Sequence, residues 1–454
     1  MLKKTAEISA VFRDLKTKEE FQKKHKVGKN SFTRKRKLGF DKIMTMIIKK
    51  SNKSLQNSLN DMQLDLKEDC TITNSAYTQA RAKLNYTAFK EFATMSAEIF
   101  YKDDEYAKYK GFRLLAIDGS VIILPNSDDI KKEFNPTINK CQIDGWKKET
   151  IQARVSVLFD VENNIAIDSI IANKNRNDKN KLIAYDERTL ASQHLSHCNM
   201  QDLVVMDRGY PSYELFALSH LKTNLLFRIR RNSFQEASSL FAAHCEKKDV
   251  ILEIKAPKHL RESLREQNLP TMIKIRFVQV VLNNGEVEVL ATNVLDNAIL
   301  QTSDFKELYS KRWGIETYYD LIKNRLGLEN FTGLTALSVK QDFYATIFLT
   351  NYESAMTYDL NEELKESTQD NKYVQKVNKS ISFNVIKHKV FDLFYGNKPL
   401  DVMLKHMEKL FLTNTITIRP NRKSKPRLDK EKQKSTIAIN SINYLKRKKK
   451  NVGN

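Results

Sequence analysis

The chain has 454 residues, of which 77 are Lys or Arg and 55 are Asp or Glu, so that its formal net charge is +22. This length accommodates two to four domains, and no apolar run approaches the roughly 18 residues of a membrane-spanning helix, which excludes a helical membrane protein. The N-terminus lacks the apolar segment of a secretion signal, and the four cysteines are far apart without a CxxC pair, so that neither a zinc site nor a disulfide framework is predicted. We therefore expect a cytoplasmic protein.

The positive charge is concentrated at the two ends of the chain. Residues 1–60 contain 17 Lys or Arg and five acids, and residues 415–454 contain 13 Lys or Arg and two acids. These net charges of +12 and +11 leave −1 for residues 61–414. Two basic ends around a neutral body favour a polyanionic partner, most simply a nucleic acid, although solubilising tails would have the same composition. Charge does not distinguish DNA from RNA.

The first elements of the chain are predicted to be helices. A basic stretch over 31–40 leads into an apolar helix over 41–48. Residues 71–84 are typical of a turn followed by a helix with Asn74 or Ser75 as its N-cap. This region is therefore predicted to be a helical N-terminal region.

Polar side chains on this last helix are candidates for DNA contact. Gln79, Arg81 and Lys83 are of the types found on helices that touch DNA. A surface helix of a bundle explains them equally well, so that both interpretations stay open.

From about residue 110 the pattern changes to strands that alternate with helices. Strands are predicted over 112–117, 155–161, 165–171, 202–206 and 225–229, and helices over 179–195 and 211–221. The second and third strands form a hairpin. This succession predicts a mixed α/β sheet.

Residues 250–295 are richer in strand. Strands are predicted over 250–255, 273–281 and 286–291, the last two joined by a turn at Asn283–Gly285. We interpret this segment as a β-rich insertion in the α/β body. Helices predominate from about residue 304, and the Lys/Arg-dense segments are expected to be flexible ends; they cover 419–434 and 446–450.

Two aspartates directly follow predicted buried strands. Asp118 begins the turn Asp118-Gly119-Ser120, and Asp207 begins Asp207-Arg208-Gly209-Tyr210. Sites in α/β sheets collect at the carboxyl ends of strands, so that both aspartates are candidate site residues. Either one alone could equally cap a turn.

The segment 307–326 is predicted to be one amphipathic helix. On a helical wheel of about 100° per residue, four side chains with functional groups share an arc of about 60° and extend over roughly 21 Å of helix. They are Tyr309, Arg312, Glu316 and Lys323. An apolar stripe borders them, and Gly314 is placed on the far side. Trp313 is a candidate for stacking on a base, but a buried aromatic is the interpretation that we favour.

This stripe has a structural and a functional interpretation. Arg312 and Glu316 form an i,i+4 pair, which is typical of a salt-bridged helix edge. Alternatively, the cations and the hydroxyl group follow a phosphate backbone, and a carboxylate among them requires a metal ion between it and the polyanion. Two strand-end aspartates and this glutamate could then hold two Mg²⁺ ions about 3.5–4 Å apart for phosphoryl transfer. No GxxxxGK[ST] loop is present, so that no nucleotide cofactor is expected.

The motifs together resemble the IS-four family of DDE transposases. The resemblance covers about residues 30–350 and includes the family's Y-x2-R-x3-E-x6-K signature, matched without a gap. The matching motifs are Asp118-Gly-Ser, Asp207-Arg-Gly-Tyr, and Tyr309-x2-Arg312-x3-Glu316-x6-Lys323, with N-terminal similarity at Phe32–Phe40 and Ala76–Arg81.

The resemblance implies an α/β, RNase H-like mixed-sheet catalytic core with a β-rich insertion, a helical N-terminal DNA-binding region and a helical, basic C-terminal region. It implies Asp118, Asp207 and Glu316 as catalytic metal ligands for two Mg²⁺ ions, with Mn²⁺ as a substitute. Contacts to DNA are expected from six residues, namely Tyr309, Arg312, Lys323, Arg208, Arg81 and Lys83. The expected divisions are 1–105, 106–229, 230–300, 301–360 and 361–454, where the last segment matches no motif of the family.

The expected activity is cut-and-paste transposition. The partners are the terminal inverted repeats of an element and a target DNA, bound by a homodimer on paired ends in the cytoplasm at the nucleoid, without a membrane. A non-transposing nuclease or domesticated DNA-binding protein of the same fold is the alternative. A basic binding module without catalysis would explain the charged ends but not the Asp-Asp-Glu set.

Overall fold

The computed structural model describes residues 2–34, 36–51, 53–68, 71–134, 137–140, 147–173, 186–242, 244–396 and 398–419; for 137–140 and 147–149 it describes the backbone alone. The predicted flexible segments 419–434 and 446–450 therefore lie outside the described residues, apart from Arg419.

The helices and strands follow one another along the whole described chain. The helices are α1 (Lys3–Leu15), α2 (Glu19–His25), α3 (Phe40–Lys49), α4 (Leu55–Leu66), α5 (Asn74–Arg81), α6 (Thr87–Tyr101), α7 (Asp128–Phe134), α8 (Glu187–His194), α9 (Tyr213–Ser219), α10 (Arg261–Glu266), α11 (Asp304–Lys311), α12 (Trp313–Asp320), α13 (Ala336–Ser367), α14 (Lys379–Phe394) and α15 (Leu400–Thr413). The strands are β1 (Arg113–Ile123), β2 (Thr137–Lys140), β3 (Lys147–Thr150), β4 (Gln152–Asp160), β5 (Ile165–Asn173), β6 (Asp202–Met206), β7 (Asn224–Ile229), β8 (Asp249–Lys255), β9 (Met272–Val281), β10 (Val287–Thr292), β11 (Gln375–Val377) and β12 (Thr415–Thr417).

The central sheet has the order β5-β4-β1-β6-β7-β10-β9-β8. Strands β5, β4 and β1 are antiparallel neighbours, whereas β1, β6 and β7 are parallel to one another. Helices between the parallel strands cover the sheet, as such connections require. The five neighbouring strands β5-β4-β1-β6-β7 have the order of an RNase H-like core. The predicted fold class is confirmed.

The β-rich segment extends this same sheet. Strand β10 pairs antiparallel with β7, and β9 and β8 continue outward from it. The segment expected over 230–300 is thus strand-rich, and its strands lengthen the central sheet instead of forming a separate one.

Strand β1 is longer than the sequence predicts. The expected turn at Asp118-Gly119-Ser120 is wrong, because β1 runs on to Ile123 in continuous antiparallel pairing with β4. Apolar periodicity ended at Ile117 because the neighbour on the other edge, β6, pairs only as far as Ala116. Residues beyond that point are half-buried, and the strand there no longer needs apolar side chains on both faces.

The N-terminal and C-terminal helices share one core around α13. The ring of Phe12 lies 5.5 Å from that of Phe348 in α13 and 4.6 Å from that of Phe394 in α14. Arg13 donates from Nε to the carbonyl of Leu393 at 2.9 Å, and Ser9 bonds to the Tyr352 hydroxyl at 2.7 Å. The helical character of both ends is as predicted, but residues 2–34 are a folded part of the core and not an arm.

Many N-terminal cations are engaged within the protein. Lys4 pairs with Asp103, Lys42 with Glu68, and the Lys16 ammonium donates to the carbonyl of Phe394. Their charge therefore stabilises the packing of the helices and is less accessible to a partner than the sequence suggests. None of the helices in the described ranges is both long and apolar enough to cross a bilayer.

Candidate active site

The parallel register of β1 and β6 places the two predicted aspartates side by side. Ala116 is paired with Val205. Asp118 and Asp207 each follow two residues later in the chain. Side chains two residues apart on a strand share a face, so that both carboxylates lie on the face of Ala116 and Val205. Strand β6 ends at Met206, which leaves the Asp118 edge of β1 open at this point.

Each aspartate is fixed by a backbone amide close to it in the chain. Asp118 Oδ1 accepts from the Gly119 amide at 2.9 Å, and Asp207 Oδ1 accepts from the Gly209 amide at 2.7 Å. Burial raises the pKa of Asp118 to about 6; the Gly119 amide and Arg312 lower it, and the charges of Asp207 and Glu316 raise it further. The three predicted acids are therefore close enough to interact electrostatically.

The predicted glutamate lies on a helical segment that is tied to β1. Tyr319, one turn beyond Glu316, donates its hydroxyl to the carbonyl of Asp118 at 2.7 Å. Ile315 and Ile322 on the same side of the segment are fully buried in the core that contains Ala116. The apolar stripe seen in the sequence thus positions Glu316 over the edge where Asp118 lies.

The predicted single helix over 307–326 is interrupted. Helix α11 ends at Lys311, α12 covers Trp313–Asp320, and a π-helical turn follows at Leu321–Arg325. A π turn adds about one residue to the turn, so that side chains beyond it depart from the ideal wheel. π turns of this kind are frequent at functional sites.

Arg312 and Glu316 form the i,i+4 pair that the sequence predicts. The Arg312 Nη2 lies 2.7 Å from Glu316 Oε1, and Arg312 is only 7% exposed. Burial lowers the pKa of Arg312, but the hydrogen bond to Glu316 and the charges of Glu316 and Asp118 together raise the pKa overall. The buried Nε of Arg312 has no partner within the described structure.

Lys323 reaches back to the site strand. Its ammonium group donates to the Ser120 hydroxyl at 2.6 Å and to the Val121 carbonyl at 2.7 Å. Burial lowers the pKa of this lysine, and the charge of Glu329 opposes the effect. The part of β1 that follows Asp118 and the end of the helical segment are thereby joined.

A fourth carboxylate at this edge was missed from the sequence. Glu187, the first residue of α8, pairs with Arg154 of β4 at 3.0 Å. Its Cγ would lie 3.2 Å from a Cβ at position 119, and its Oε2 would lie 3.9 Å from one at position 209. The glycines of both aspartate motifs therefore leave room for Glu187. These glycines were the only sequence signal of a close neighbour, and they do not indicate which residue it is.

The other predicted DNA contacts have different environments. Tyr309 is buried, with burial raising its pKa, and Arg312 lies 5.7 Å from its ring. Arg208 is exposed in the turn that follows β6. Trp313 is 59% exposed, so that the interpretation as a buried aromatic is wrong.

The prediction of Arg81 as a DNA contact is wrong. Arg81 is 4% exposed, and its guanidinium bonds to Asp342 at 2.8 Å and to Gln341 Oε1 at 2.7 Å. Helix α5 ends against α13, and this arginine joins the two helices.

The predicted N-cap of α5, Asn74 or Ser75, is wrong, because the side chain of Thr73 accepts the amide of Ala76.

Lys83 lies at a basic groove of the N-terminal region. The groove has a volume of about 590 Å³, and no carboxylate is among the side chains that line it. Its cationic side chains are Arg34, Arg36, Lys37 and Lys83. The first three of them are exposed.

A Ser-His-Asp chain lies behind the sheet. His194 Nδ1 is 2.8 Å from Asp168 Oδ2, and its Nε2 is 3.0 Å from the Ser156 hydroxyl. Burial opposes ionisation of Asp168, but the bond to His194 and the neighbouring positive charges together lower its pKa to about 2. All three side chains are buried. They join β4, β5 and α8 and present no nucleophile to a substrate.

The acids of the site have the donor chemistry of a divalent cation site, since carboxylate oxygens are the ligands that Mg²⁺ prefers. Glu316 is paired with Arg312, and in the described part of the chain no three acidic, histidine or cysteine side chains are grouped closely enough to hold a metal ion as they stand.

The sheet order, the adjacent aspartates and the glutamate on the tied helix define the class of RNase H-like proteins with an Asp-Asp-Glu set. Residues 109–352, more than half of the chain, match the family model described as Transposase DDE domain. The chain belongs to this family, as the motifs predict. DDE transposases generally use divalent metal ions and act on DNA.

The chain is also similar to individual transposases. It is 22% identical over 300 residues to the transposase InsG for insertion sequence element IS4 of Escherichia coli (strain K12), which is 65% of this chain and 63% of that relative. It thus spans less than two thirds of that relative's length. A cryo-EM structure of the piggyBac transposase synaptic complex with hairpin DNA is similar over 94% of this chain and 84% of that chain, with a TM-score of 0.44 and 9% identity.

Proposed function

We propose that this protein is an insertion-sequence transposase that cleaves the ends of its element and joins them to a target DNA. The observation that carries this proposal is the register of β1 and β6, which sets Asp118 beside Asp207 under the helix of Glu316. An unpaired strand edge with two carboxylates is suited to a charged substrate and its counter-ions, and has no structural purpose that an apolar pair would not serve better.

Asp118, Asp207 and Glu316 are proposed as the ligands of two Mg²⁺ ions, with Mn²⁺ as a substitute. The ions would supply activation of the attacking water or 3′-hydroxyl and stabilisation of charge on the phosphate. Binding at Glu316 requires this carboxylate to exchange the Arg312 guanidinium for the ion. The guanidinium of Arg312, released from Glu316, could then donate to a DNA phosphate. Its Nε has no hydrogen-bond partner among the described residues even before this exchange.

The remaining cations are proposed to hold the DNA backbone. Lys323 and Arg208 flank the acids, and Tyr309 supports the guanidinium of Arg312 from below. At a distance from the site, Lys83 and the basic groove around it would contact a more remote stretch of the same DNA. These contacts position the scissile phosphate without a covalent protein intermediate.

The proposed partners are the terminal inverted repeats of the element and a target DNA. A homodimer on paired ends would carry out the reaction in the cytoplasm, at the nucleoid. The divisions 1–105, 106–229, 230–300, 301–360 and 361–454 are kept as functional segments, although the first and last share one core.

The test uses a supercoiled plasmid with matched element ends. We expect Mg²⁺-dependent excision by the wild type and its loss in Glu316→Gln, which keeps the shape of the side chain but removes a charged metal ligand. DNA binding should persist in this variant.

The matched control is Glu307→Gln, because Glu307 is exposed on the same helical segment and lies 3.9 Å from its lysine partner. It should excise at the wild-type rate. Excision by Glu316→Gln would refute the proposal, and binding without cleavage by the wild type would identify a non-transposing DNA-binding protein.

A further inference from the structure

A cavity of about 600 Å³ lies beyond the end of the helical segment that carries Glu316. It is enclosed by the end of α3, by the second half of α4, by the π-helical turn, and by α14. Side chains of α14 at helical spacing form one wall, namely Ser380, Phe383, Asn384, Lys387 and His388. We call it the Lys387 cavity.

The cavity has a surplus of positive charge. Its two acids are each paired with a lysine, Asp65 with Lys49 and Asp61 with Lys53, both at 2.6 Å. The lining also contains Lys50, Arg325 and Lys387, which those acids do not neutralise.

The surplus cations have few partners. Lys50 donates to the carbonyls of Gly327 and Leu328 at 3.1 and 3.0 Å. Arg325 and Lys387 have neither a hydrogen bond nor an ion pair with the described residues, and Lys387 is half-buried. Burial lowers the pKa of Lys387. Burial also lowers the pKa of Lys50 to about 8, where the charge of Asp342 opposes the effect and the charge of Lys387 adds to it.

Lys50 and Lys387 are partly dehydrated, which is unfavourable for their charges, and an anion in the cavity would relieve this cost. The cavity offers a guanidinium, an ammonium, a hydroxyl and an amide, which together match the oxygens of a phosphate.

We propose that the Lys387 cavity binds a phosphate group through Arg325 and Lys387. Its source follows from the proposed function, on which this part rests: Arg325 stands nine residues after Glu316, roughly 13 Å along the helix at 1.5 Å per residue, or about four base-pair steps of 3.4 Å. A backbone phosphate of bound DNA a few nucleotides from the scissile position therefore fits the cavity. A free phosphate ion has the same chemistry, and the experiment distinguishes the two.

The first measurement is thermal melting of the full chain with inorganic phosphate, against chloride at equal ionic strength. Phosphate should raise the melting temperature of the wild type by more than that of Arg325→Gln/Lys387→Gln, which keeps only the general stabilisation that phosphate gives to folded proteins. The matched control is Lys405→Gln/Lys409→Gln, which removes two exposed charges from α15. It should respond as the wild type does, because neither lysine lines the cavity.

The double variant should fold, since it removes an unpaired, partly buried charge. Arg325→Gln alone changes an exposed side chain and provides a second variant, with a reduced phosphate response expected.

The second measurement is the salt dependence of binding to a short duplex of arbitrary sequence. Each lost phosphate contact lowers the slope of log K against log salt by about 0.9, so that the double variant, which loses the one phosphate of the cavity, should lose about one unit relative to the control.

Loss of both responses supports a DNA phosphate in the cavity. Loss of the melting response with a slope equal to the control's identifies free phosphate as the ligand and overturns the DNA assignment. Unchanged behaviour in both overturns the proposal. Neither assay measures cleavage, so that failure of the proposed catalytic function would be recognised separately.

Discussion

Two basic residues of one short stretch, Arg81 and Lys83, have opposite roles. Arg81 is enclosed between α5 and α13 with Asp342 as its ion-pair partner, whereas Lys83 lies at the rim of the basic groove. Sequence patterns describe both as cations at the end of a helix, and only the packing separates them. Residue type alone therefore overestimates the number of charges available to DNA.

Arg81→Ala should destabilise the protein by roughly 3–5 kcal/mol, because it leaves Asp342 buried without its partner. Urea unfolding measures the effect. Lys83→Ala is the control and should stay within about 0.5 kcal/mol of the wild type while its DNA affinity falls. Native stability of Arg81→Ala together with weakened DNA binding would restore the original interpretation of this residue.

At the scale of elements, strong apolar patterns were reliable and polar ones were not. Strand β6 over 202–206 and the hairpin of β4 and β5 agree with the prediction, because buried strands show as short apolar runs. The continuation of β1 through Asp118 was not predictable, since it depends on where a neighbouring strand ends. The π turn after α12 was not predictable either, because an apolar stripe does not show an extra residue in one turn of the helix.

Gly314 illustrates this at one helix. The wheel placed it on a free face, but a Cβ there would lie 3.1 Å from Cβ of Val161 and 3.2 Å from its Cγ1. The helix therefore passes close to the end of β4, and the glycine permits this approach.

Gly314→Ala should fail to give the gain of about 1 kcal/mol that alanine normally brings to a helix, because Val161 must shift. In a Val161→Ala background the same substitution should recover that gain. A double-mutant cycle from urea unfolding tests this prediction. Full stabilisation by Gly314→Ala alone would show that Val161 can move away without cost, which contradicts it.

At the scale of the whole molecule, the candidate site was predictable in its residues but not in its support. The three acids and the cations around Glu316 follow from motifs, whereas Glu187, Arg154 and the joint core of the chain ends follow from contacts between distant segments. No local pattern carries such contacts. The division into an N-terminal and a C-terminal region is accordingly a division of sequence and not of packing.

A chain that ends at residue 378 should lose cooperative thermal unfolding, because it lacks α14 and α15 and exposes the rings packed around Phe12. Circular dichroism during heating measures this. A chain that ends at Arg419 retains every element described and should melt as the full chain does. It also lacks 12 Lys or Arg and two acids, so that its DNA affinity should fall less steeply with salt. Cooperative melting of the shorter chain at the full-length temperature would contradict the shared core.

The contact between Arg13 and the carbonyl of Leu393 joins residues 380 positions apart. During synthesis the N-terminal helix must wait for nearly the whole chain to leave the ribosome before its partners exist, and closure over so long a separation is slow. The core around α13 thus cannot be completed in a nascent chain until its last helices emerge. Copies of the gene that are interrupted late by a stop codon are expected to give unfolded products, not shortened enzymes that compete for DNA.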